Sequence, residues 1–297
     1  MNKTSIQWTD ETWNPLVGCR RVSEGCRNCY AERLVATRLS KHPVYRGLAI
    51  MKDSGPQFTG DHRIIADRLD EPLRKRKGVK VFVNDLGDLF YEGHTNEEIA
   101  AVFGVMAAAP RHTFQVLTKR ARRMAEWFAW IQNEAATAAA HNGVAPIAEI
   151  LLSISGYANV LIPGGGTPQG SLLRPGTVWP LPNVWLGTST EDQATADARI
   201  PELIKCPATV RFLSVEPQIG PINLEAICHP EDPSVHWVIQ GGESGPRARP
   251  FDLAWARSLR DQCKAAGTAY FLKQLGANAW TDRVLRSDGS LLEVTAY

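Results

Sequence analysis

Three of the six cysteines lie within eleven residues, a spacing at which thiols can bind a metal ion or an iron–sulfur cluster. Cys19, Cys26 and Cys29 form the pattern C-x6-C-x2-C. The other three are scattered along the chain: Cys206, Cys228 and Cys263. Gly18 and Gly25 each precede a clustered cysteine, where the missing side chain allows the backbone to pass close to a metal centre. The spacing therefore predicts a metal or cluster site at Cys19, Cys26 and Cys29.

The absence of a fourth nearby cysteine bears on which centre the thiols would hold. A structural zinc site takes four protein ligands, and the chain has no second C-x2-C or H-x3-H pair. Zinc would therefore need a distant His or Cys. A four-iron cluster on three thiolates instead leaves one iron open to a small molecule, which favours catalysis. Arg20, Arg21 and Arg27 lie beside the thiols and favour their thiolate form.

The rest of the chain alternates between apolar runs and helix-like segments. The runs typical of strands buried on both faces are 79–84, 114–118, 184–189, 210–216, 237–241 and 269–273. Helical spacing is found at 64–77, 96–109, 121–140, 192–205 and 253–266. Thr95 with Glu98 matches a capping box. We place a first strand just before Cys19.

This alternation predicts an α/β fold with parallel strands, a full or partial (β/α) barrel, with a doubly wound sheet as the alternative. One domain over residues 1–297 accommodates it. Residues 133–182 interrupt this alternation of strands and helices with an Ala-rich and then a Gly/Pro-rich stretch. We predict an insertion or lid there, with a plain exposed elaboration as the other interpretation.

Polar residues follow each predicted strand, at the end where a (β/α) barrel builds its active site. Glu243 comes after two glycines and can accept a hydrogen bond or act as a base. Lys273 can bind an anionic substrate or pair with Glu216 or Glu243. We predict these three as catalytic residues. The other acidic and hydroxyl candidates at strand ends include Asp85, Asp88, Ser189 and Glu191.

Basic residues also gather after two of the predicted strands. They are Lys119, Arg120, Arg122, Arg123, Arg247 and Arg249. Together they would form a local cationic mouth for a phosphate-bearing substrate, although a solvated helix start explains the first four equally well.

Several longer motifs point to one family. They are IQWTD (6–10), WNP (13–15), CRNCYAE (26–32), FQVLTKR (114–120), VWLGTS (184–189), FLSVEP (212–217), GGESG (241–245) and FLKQ (271–274). Along nearly its full length the chain resembles the radical-SAM-like, three-cysteine family of uncharacterised proteins associated with phages and prophages. Two features depart from the commonest radical SAM pattern: six residues rather than three separate Cys19 from Cys26, and Asn28 replaces the aromatic residue before the last cysteine.

The resemblance implies a radical SAM enzyme on a TIM-barrel-like fold. Cys19, Cys26 and Cys29 would hold a [4Fe-4S] cluster, and S-adenosylmethionine would bind its open iron and be cleaved to a radical that abstracts a substrate hydrogen. By analogy with radical SAM barrels, Asp85 and Asp88 would face the amino group of S-adenosylmethionine. Residues suited to its ribose and carboxylate are Ser189, Glu191 and Arg199.

The phage association leads us to expect a small-molecule or nucleotide substrate, with modification of a nucleic-acid base as one form of it. Nucleic acid is then a further partner, and an electron donor such as flavodoxin or ferredoxin is required. The alternative is a non-catalytic zinc- or cluster-binding protein with a nucleic-acid-interaction role.

Composition limits these expectations. A hydrophobic fraction of 44% and a charged fraction of 22% are typical of a soluble globular chain. The net charge of +2 gives no global electrostatic reason to bind nucleic acid. Residues 1–12 lack the apolar stretch of a secretory signal, and residues 144–162 are too polar to span a membrane. We therefore expect a cytoplasmic protein with no membrane partner.

Overall fold

The computed structural model describes residues 1–165, 172–173, 175–225, 234–280, 283–285 and 291–293. Cys228 and part of the predicted insertion, 166–171 and 174, lie outside the described residues. The helices are α1 (Tyr30–Ala36), α2 (Ala66–Leu69), α3 (Glu71–Arg74), α4 (Asn96–Ala108), α5 (Ala121–Asn142), α6 (Pro146–Leu161), α7 (Gln193–Lys205) and α8 (Leu253–Ala265). A short 3-10 helix covers Glu24–Cys26.

The structure describes sixteen strands. They are β1 (Asn2–Lys3), β2 (Glu11–Trp13), β3 (Leu16–Gly18), β4 (Ala49–Lys52), β5 (Gly55–Phe58), β6 (His62–Ile64), β7 (Lys80–Val83), β8 (Thr113–Thr118), β9 (Val184–Ser189), β10 (Val210–Val215), β11 (Trp237–Gly241), β12 (Phe251–Asp252), β13 (Ala269–Gln274), β14 (Ala279–Trp280), β15 (Arg283–Leu285) and β16 (Leu291–Glu293).

The largest element is an eight-stranded sheet in the order β1-β2-β7-β8-β9-β10-β11-β13. β1 pairs antiparallel with β2, whereas β2, β7, β8 and β9 pair parallel in that order, as do β10, β11 and β13. All six predicted runs form strands of this sheet, which confirms a mixed α/β fold with a mostly parallel sheet. Among the described strands, no pairing closes the sheet into a barrel.

The predicted first strand of the sheet is wrong by a few residues. The apolar run just before Cys19 is β3, but it pairs antiparallel with β6 in a separate two-stranded sheet. The strand that joins the main sheet is β2, whose residues Glu11, Thr12 and Trp13 pair with β7. Trp13 is fully buried and donates its indole N–H to the carbonyl of Arg68 at 2.7 Å. This burial and tertiary hydrogen bond favour β2 as the inner strand.

The chain forms two compact units. The first comprises Met1–Val22, Cys29–Thr188 and Arg199–Arg211, and its main helical layer is built by α4, α5 and α6. α4 begins with the predicted capping box, in which Thr95 accepts from the backbone N–H of Glu98 at 3.2 Å and the Glu98 carboxylate accepts from the backbone N–H of Thr95 at 2.9 Å. Phe103 of α4 stacks on Trp127 of α5, with ring centroids 4.5 Å apart.

The first half of the predicted insertion is regular structure packed into the first unit. Residues 133–142 are the last part of α5, and α6 buries Ile150, Ile154 and Ala158. α6 also crosses α4 very closely, because a side chain at Gly104 would meet the carbonyl oxygen of Ile154 at 2.1 Å. This close crossing makes α6 part of the unit's core.

The second unit comprises Ser23–Asn28, Ser189–Ala198 and the described part of Phe212–Tyr297. α8 buries Leu259 and Cys263 among its inward residues. Buried polar groups on its strands are linked: Gln240 donates to Gln218 and accepts from the hydroxyl of Tyr270. Burial raises the pKa of Tyr270 to about 12. These contacts give the strands a fixed polar layer.

No single helix among those described has both the length and the apolar composition to cross a membrane. α5 and α6 meet the criteria of length and composition only when taken as a pair, across a bend of 110°.

Candidate functional site

The three clustered cysteines differ in exposure from the other cysteines that the structure describes. Cys19, Cys26 and Cys29 are half-buried thiols, whereas Cys206 and Cys263 are buried. Burial raises the pKa of Cys206 to about 12, which keeps that thiol protonated and unreactive. The three cysteines predicted as ligands therefore have accessible thiols, whereas Cys206 and Cys263 pack in the core.

In the first unit, the thiol of Cys19 lies against a buried arginine at the end of β8. Nη1 of Arg120 lies 3.4 Å from Sγ of Cys19 and donates to it. Nη2 of the same guanidinium donates to the carbonyl of Arg20 at 2.6 Å, and Nε donates to Glu92 at 2.7 Å. The guanidinium also covers the ring of Tyr91 at 4.9 Å. These contacts hold the arginine in one orientation toward the cysteine.

Asp88 positions that arginine. Its Oδ2 accepts from Nη1 of Arg120 at 3.2 Å and from the backbone N–H of Lys119 at 3.1 Å. Its Oδ1 accepts from the hydroxyl of Thr118 at 2.7 Å and from the backbone N–H of Phe90 at 3.0 Å. Burial disfavours the charged guanidinium, but Asp88, Cys19 and Glu92 together outweigh it, and the pKa of Arg120 lies above its ordinary value. Asp88 was predicted to contact S-adenosylmethionine. In the structure both of its carboxylate oxygens are hydrogen-bonded within the protein.

A second group in the first unit surrounds the start of α1, directly after Cys29. The hydroxyl of Tyr30 donates to the carbonyl of Asp85 at 2.7 Å, and Asn14 donates to Oδ1 of Asp85 at 2.6 Å. Burial raises the pKa of Asp85, although the hydrogen bonds from Asn14 and Tyr30 oppose the shift. Asp85 is therefore a half-buried, hydrogen-bonded carboxyl group in the loop that follows β7.

Asn84, the first residue after β7, has an unusual environment. Its φ of +60° lies in the left-handed region that non-glycine residues seldom adopt. Its carboxamide is buried, with no hydrogen-bond partner among the described residues. Backbone strain and unsatisfied polar groups concentrate at functional sites, which makes this strand end the most distinctive backbone position of the first unit.

An ion pair fixes the beginning of the cysteine segment, which we define as residues 19–29. Arg21 donates to both oxygens of Glu32 in α1, with a shortest distance of 2.7 Å, and to the carbonyl of Pro56 at 2.8 Å. The buried Glu32 also accepts from the backbone N–H of Phe58 at 3.1 Å. Arg21 therefore connects the cysteine segment to α1 and to β5.

In the second unit, Ser23–Asn28 forms the loop that carries Cys26, here called the Cys26 loop. The hydroxyl of Ser23 donates to Oε1 of Glu191 at 3.0 Å. A Cβ at Gly25 would lie only 2.2 Å from that same oxygen. Glu191 follows β9 and is fully buried. Gly25 was predicted to let the backbone pass close to a metal centre; in the structure its missing side chain makes room for the side chain of Glu191.

Glu243 holds the other end of the Cys26 loop. Its Oε2 accepts from the side-chain N–H of Asn28 at 2.9 Å and from the backbone N–H of Arg249 at 2.9 Å. Its Oε1 accepts from Nη2 of Arg249 at 2.8 Å. Burial favours the neutral acid, but the hydrogen bonds from Arg249 and Asn28 outweigh it and lower the pKa of Glu243. Asn28 also donates to the carbonyl of Arg247 at 2.9 Å.

The predicted pairing of Lys273 with Glu216 is present in the second unit. Nζ of Lys273 donates to both oxygens of Glu216 at 2.8 and 2.9 Å, and the amide of Gln274 donates to Oε1 at 2.7 Å. A Cβ at Gly241 would come within 3.1 Å of the Glu216 carboxylate. Three strand ends therefore converge on one partly buried carboxylate.

Two further predicted site residues lie in β9 and α7. Ser189 is buried at the end of β9, and Arg199 is half-buried in α7. Of the predicted cationic residues, Arg120 and Arg249 are engaged in the ion pairs described above. Arg122 pairs with Glu126 within α5, and Arg123 donates to Asn96.

The sequence predicted the three thiols and the acidic strand ends, but not which side chains hold the cysteine segment. Arg120 was expected as part of a phosphate-binding mouth, yet it contacts Cys19. Ser23 was not singled out, and Asn28 was noted only as a departure from the commonest radical SAM pattern, although polar side chains inside a cysteine spacer are a signal that the loop is anchored through them. The partners of such side chains are far away in the sequence, so spacing alone does not identify them.

Comparisons with known proteins place the chain in a family. No curated protein and no solved structure matches it significantly. One family, described as "protein of unknown function (DUF5131)", matches residues 3–295. Because this match covers nearly the whole chain, the protein belongs to the DUF5131 family.

Proposed function

We propose that this protein is a radical SAM-type enzyme in which Cys19, Cys26 and Cys29 hold a [4Fe-4S] cluster. The observation that carries the proposal is the exposure of these thiols, since the other two described cysteines are buried. When bound, the cluster would pass one electron to S-adenosylmethionine, whose cleavage yields the radical that abstracts a substrate hydrogen. The mostly parallel sheet supports the partial (β/α) barrel that such an enzyme would have.

The donor set fits an iron–sulfur cluster chemically. Thiolates are the usual protein ligands of such clusters, and Arg120 places a positive guanidinium 3.4 Å from Sγ of Cys19, where it favours thiolate. Among the described residues, no three His, Cys, Asp or Glu side chains are arranged to hold a metal ion. The proposal therefore depends on the chemistry and spacing of the thiols rather than on a preassembled site.

Within this proposal, three predicted carboxylates act by positioning. Glu191 and Glu243 fix the two ends of the Cys26 loop, and Asp88 fixes the arginine at Cys19. A loop held in place through its side chains presents its thiol with less loss of conformational entropy on loading. Asp85, Ser189 and Arg199 stay as predicted contacts to S-adenosylmethionine.

Glu216 and Lys273 stay as predicted catalytic residues. The carboxylate of Glu216 pairs with Lys273, so the pair can hold a substrate group or exchange a proton with it. We propose a nucleotide or a nucleic-acid base as the substrate class and a flavodoxin or ferredoxin as the electron donor. The phage-associated resemblance supports the first, and the one-electron chemistry requires the second.

Anaerobic reconstitution with iron and sulfide tests the proposal. The wild type should gain about four irons per chain and a visible absorption shoulder, and it should release 5′-deoxyadenosine from S-adenosylmethionine under reduction. Cys26→Ala should lose cluster uptake. Cys206→Ala and Cys263→Ala are the matched controls, because their thiols are buried, and both should retain the cluster.

Two results would contradict the proposal. One is stoichiometric zinc with no cluster uptake, which would favour the non-catalytic metal-binding alternative. The other is equal loss of iron in Cys26→Ala and Cys263→Ala, which would contradict the assignment of Cys26 as a cluster ligand.

A further inference from the structure

Arg120 has a role that the sequence did not indicate. We propose that Arg120 is a positioning residue for the cluster, donating a hydrogen bond to the ligating sulfur of Cys19 and raising the reduction potential of the cluster. This inference rests on the proposed function, because it concerns the same three cysteines. It assigns to Arg120 the control of electron uptake, a property distinct from holding iron.

The geometry of the guanidinium is the first argument. Nη1 points one donor at Sγ of Cys19, at 3.4 Å, and another at Oδ2 of Asp88, at 3.2 Å. Nε and Nη2 are bound to Glu92 and to the carbonyl of Arg20. With contacts from all three nitrogens, the guanidinium cannot rotate away from the sulfur without breaking several hydrogen bonds at once. The donor is therefore preorganised.

Burial is the second argument. The side chain of Arg120 is only 4% exposed, so water screens its charge weakly at Cys19. Such a charge is retained inside a protein only when it is paired, and Asp88 and Glu92 supply that pairing. Asp88 is itself fixed by Thr118 and by backbone N–H groups, which makes the arrangement rigid.

The expected effect follows from electrostatics. One-electron reduction adds a negative charge to the cluster, and part of that charge resides on the ligating sulfurs. A hydrogen bond and a fixed positive charge at one sulfur stabilise the reduced form more than the oxidised form. Replacing Arg120 should therefore make reduction harder.

The test is a redox titration of anaerobically reconstituted protein, followed by electron paramagnetic resonance with dithionite as reductant. Arg120→Gln should lower the ratio of reduced to oxidised cluster about tenfold at a given potential, which corresponds to about 59 mV for one electron. Arg120→Lys keeps a positive charge but not the planar set of donors, so its shift should be smaller and in the same direction.

Arg74→Gln is the matched control. It makes the same chemical change at an arginine whose side chain is 60% exposed and pairs with Asp70, away from Arg120 and Cys19. Its potential should equal that of the wild type. Iron content is measured in every sample, so that a change in potential is compared between equally loaded proteins.

The outcomes separate this inference from the proposed function. Wild-type protein that takes up no cluster would overturn both. Wild-type protein that loads and cleaves S-adenosylmethionine, with unchanged potentials in both Arg120 variants, would overturn only the role of Arg120. Loss of iron from both variants at unchanged stability would also overturn it, because Arg120 would then serve to retain the cluster rather than to set its potential.

Discussion

Replacing Gly25 with alanine tests whether Glu191 holds the Cys26 loop. The new Cβ would lie 2.2 Å from Oε1, 2.3 Å from Cγ and 2.4 Å from Cδ of Glu191. Ordinary contacts between such atoms are about 3.5–4.0 Å. The side chain or the loop must therefore move by about 1–2 Å. Glu191 is fully buried and has little room to swing aside. The backbone at Gly25 itself carries no positive φ, so the conflict is one of space.

The cost combines two effects. Overpacking at a buried position costs about 1–3 kcal/mol, and losing the hydrogen bond between Ser23 and Glu191 costs about 1 kcal/mol. We expect Gly25→Ala to lower the free energy of unfolding by about 2–3 kcal/mol, because release of the loop limits the total. Urea denaturation followed by tryptophan fluorescence measures this difference, and limited proteolysis reports whether the loop has been released.

Two further variants make the experiment decisive. Gly156→Ala is the matched control: Gly156 lies in α6 with nothing within 4 Å of its added Cβ, so alanine there should be neutral or stabilise by up to about 1 kcal/mol. In the double variant Gly25→Ala with Glu191→Ala, the new methyl group has space, so the combined loss should be smaller than the sum of the single losses. Strict additivity, or equal effects at Gly25 and Gly156, would refute the packing argument.

Three further predictions concern other parts of the fold. Thr95→Ala should cost about 1 kcal/mol in urea denaturation by removing the capping box of α4; an unchanged midpoint would contradict that role. Glu243→Gln should lower the free energy of unfolding by about 2–3 kcal/mol, since it removes the buried carboxylate that pairs with Arg249 and leaves only the exposed Glu24; Asp261→Asn, in an exposed pair with Arg260, is the control and should leave stability unchanged. Burial, reinforced by nearby His62, lowers the pKa of His94 from 6.5 to about 3. The unfolded chain therefore binds a proton between these values and the folded chain does not, so stability should fall by about 2 kcal/mol from pH 6.5 to 5. His94→Gln should remove that part of the pH dependence in urea titrations, and an identical pH profile would refute it. The other charged groups around His94 are Glu98, whose Oε2 lies 3.8 Å from Nδ1 of His94, and Asp88, Arg120 and Arg123.

Much of the sheet could be predicted because its strands are short apolar runs between helices. Residues 81–83 and 238–241 are buried on both faces, and this burial produces the pattern from which their strands were predicted. β2 was missed because ETW is less apolar than LVG of β3, and only the tertiary pairing with β7 distinguishes the two. α6 was missed although Pro146 at its first turn is a recognised start signal.

In the candidate site the clustered cysteines could be recognised from the sequence, whereas the side chains that hold their segment could not. Thiol spacing is local, so Cys19, Cys26 and Cys29 stand out in the sequence alone. The partner of Asn28 is Glu243, 215 residues later, and that of Ser23 is Glu191, 168 residues later. Pairings across such distances depend on how the strands are ordered in the sheet, which local residue patterns do not encode.

These sequence separations also impose an order of events during synthesis. The cysteine segment leaves the ribosome when Glu191 and Glu243 have not yet been made. At about 5–20 residues per second, the 215 residues between Asn28 and Glu243 take about 10–40 s to translate. During that interval the thiols are exposed to oxidants without their anchored loop. Iron and sulfide delivered after chain completion would therefore meet a Cys26 loop already in place, whereas earlier delivery would meet an unanchored one.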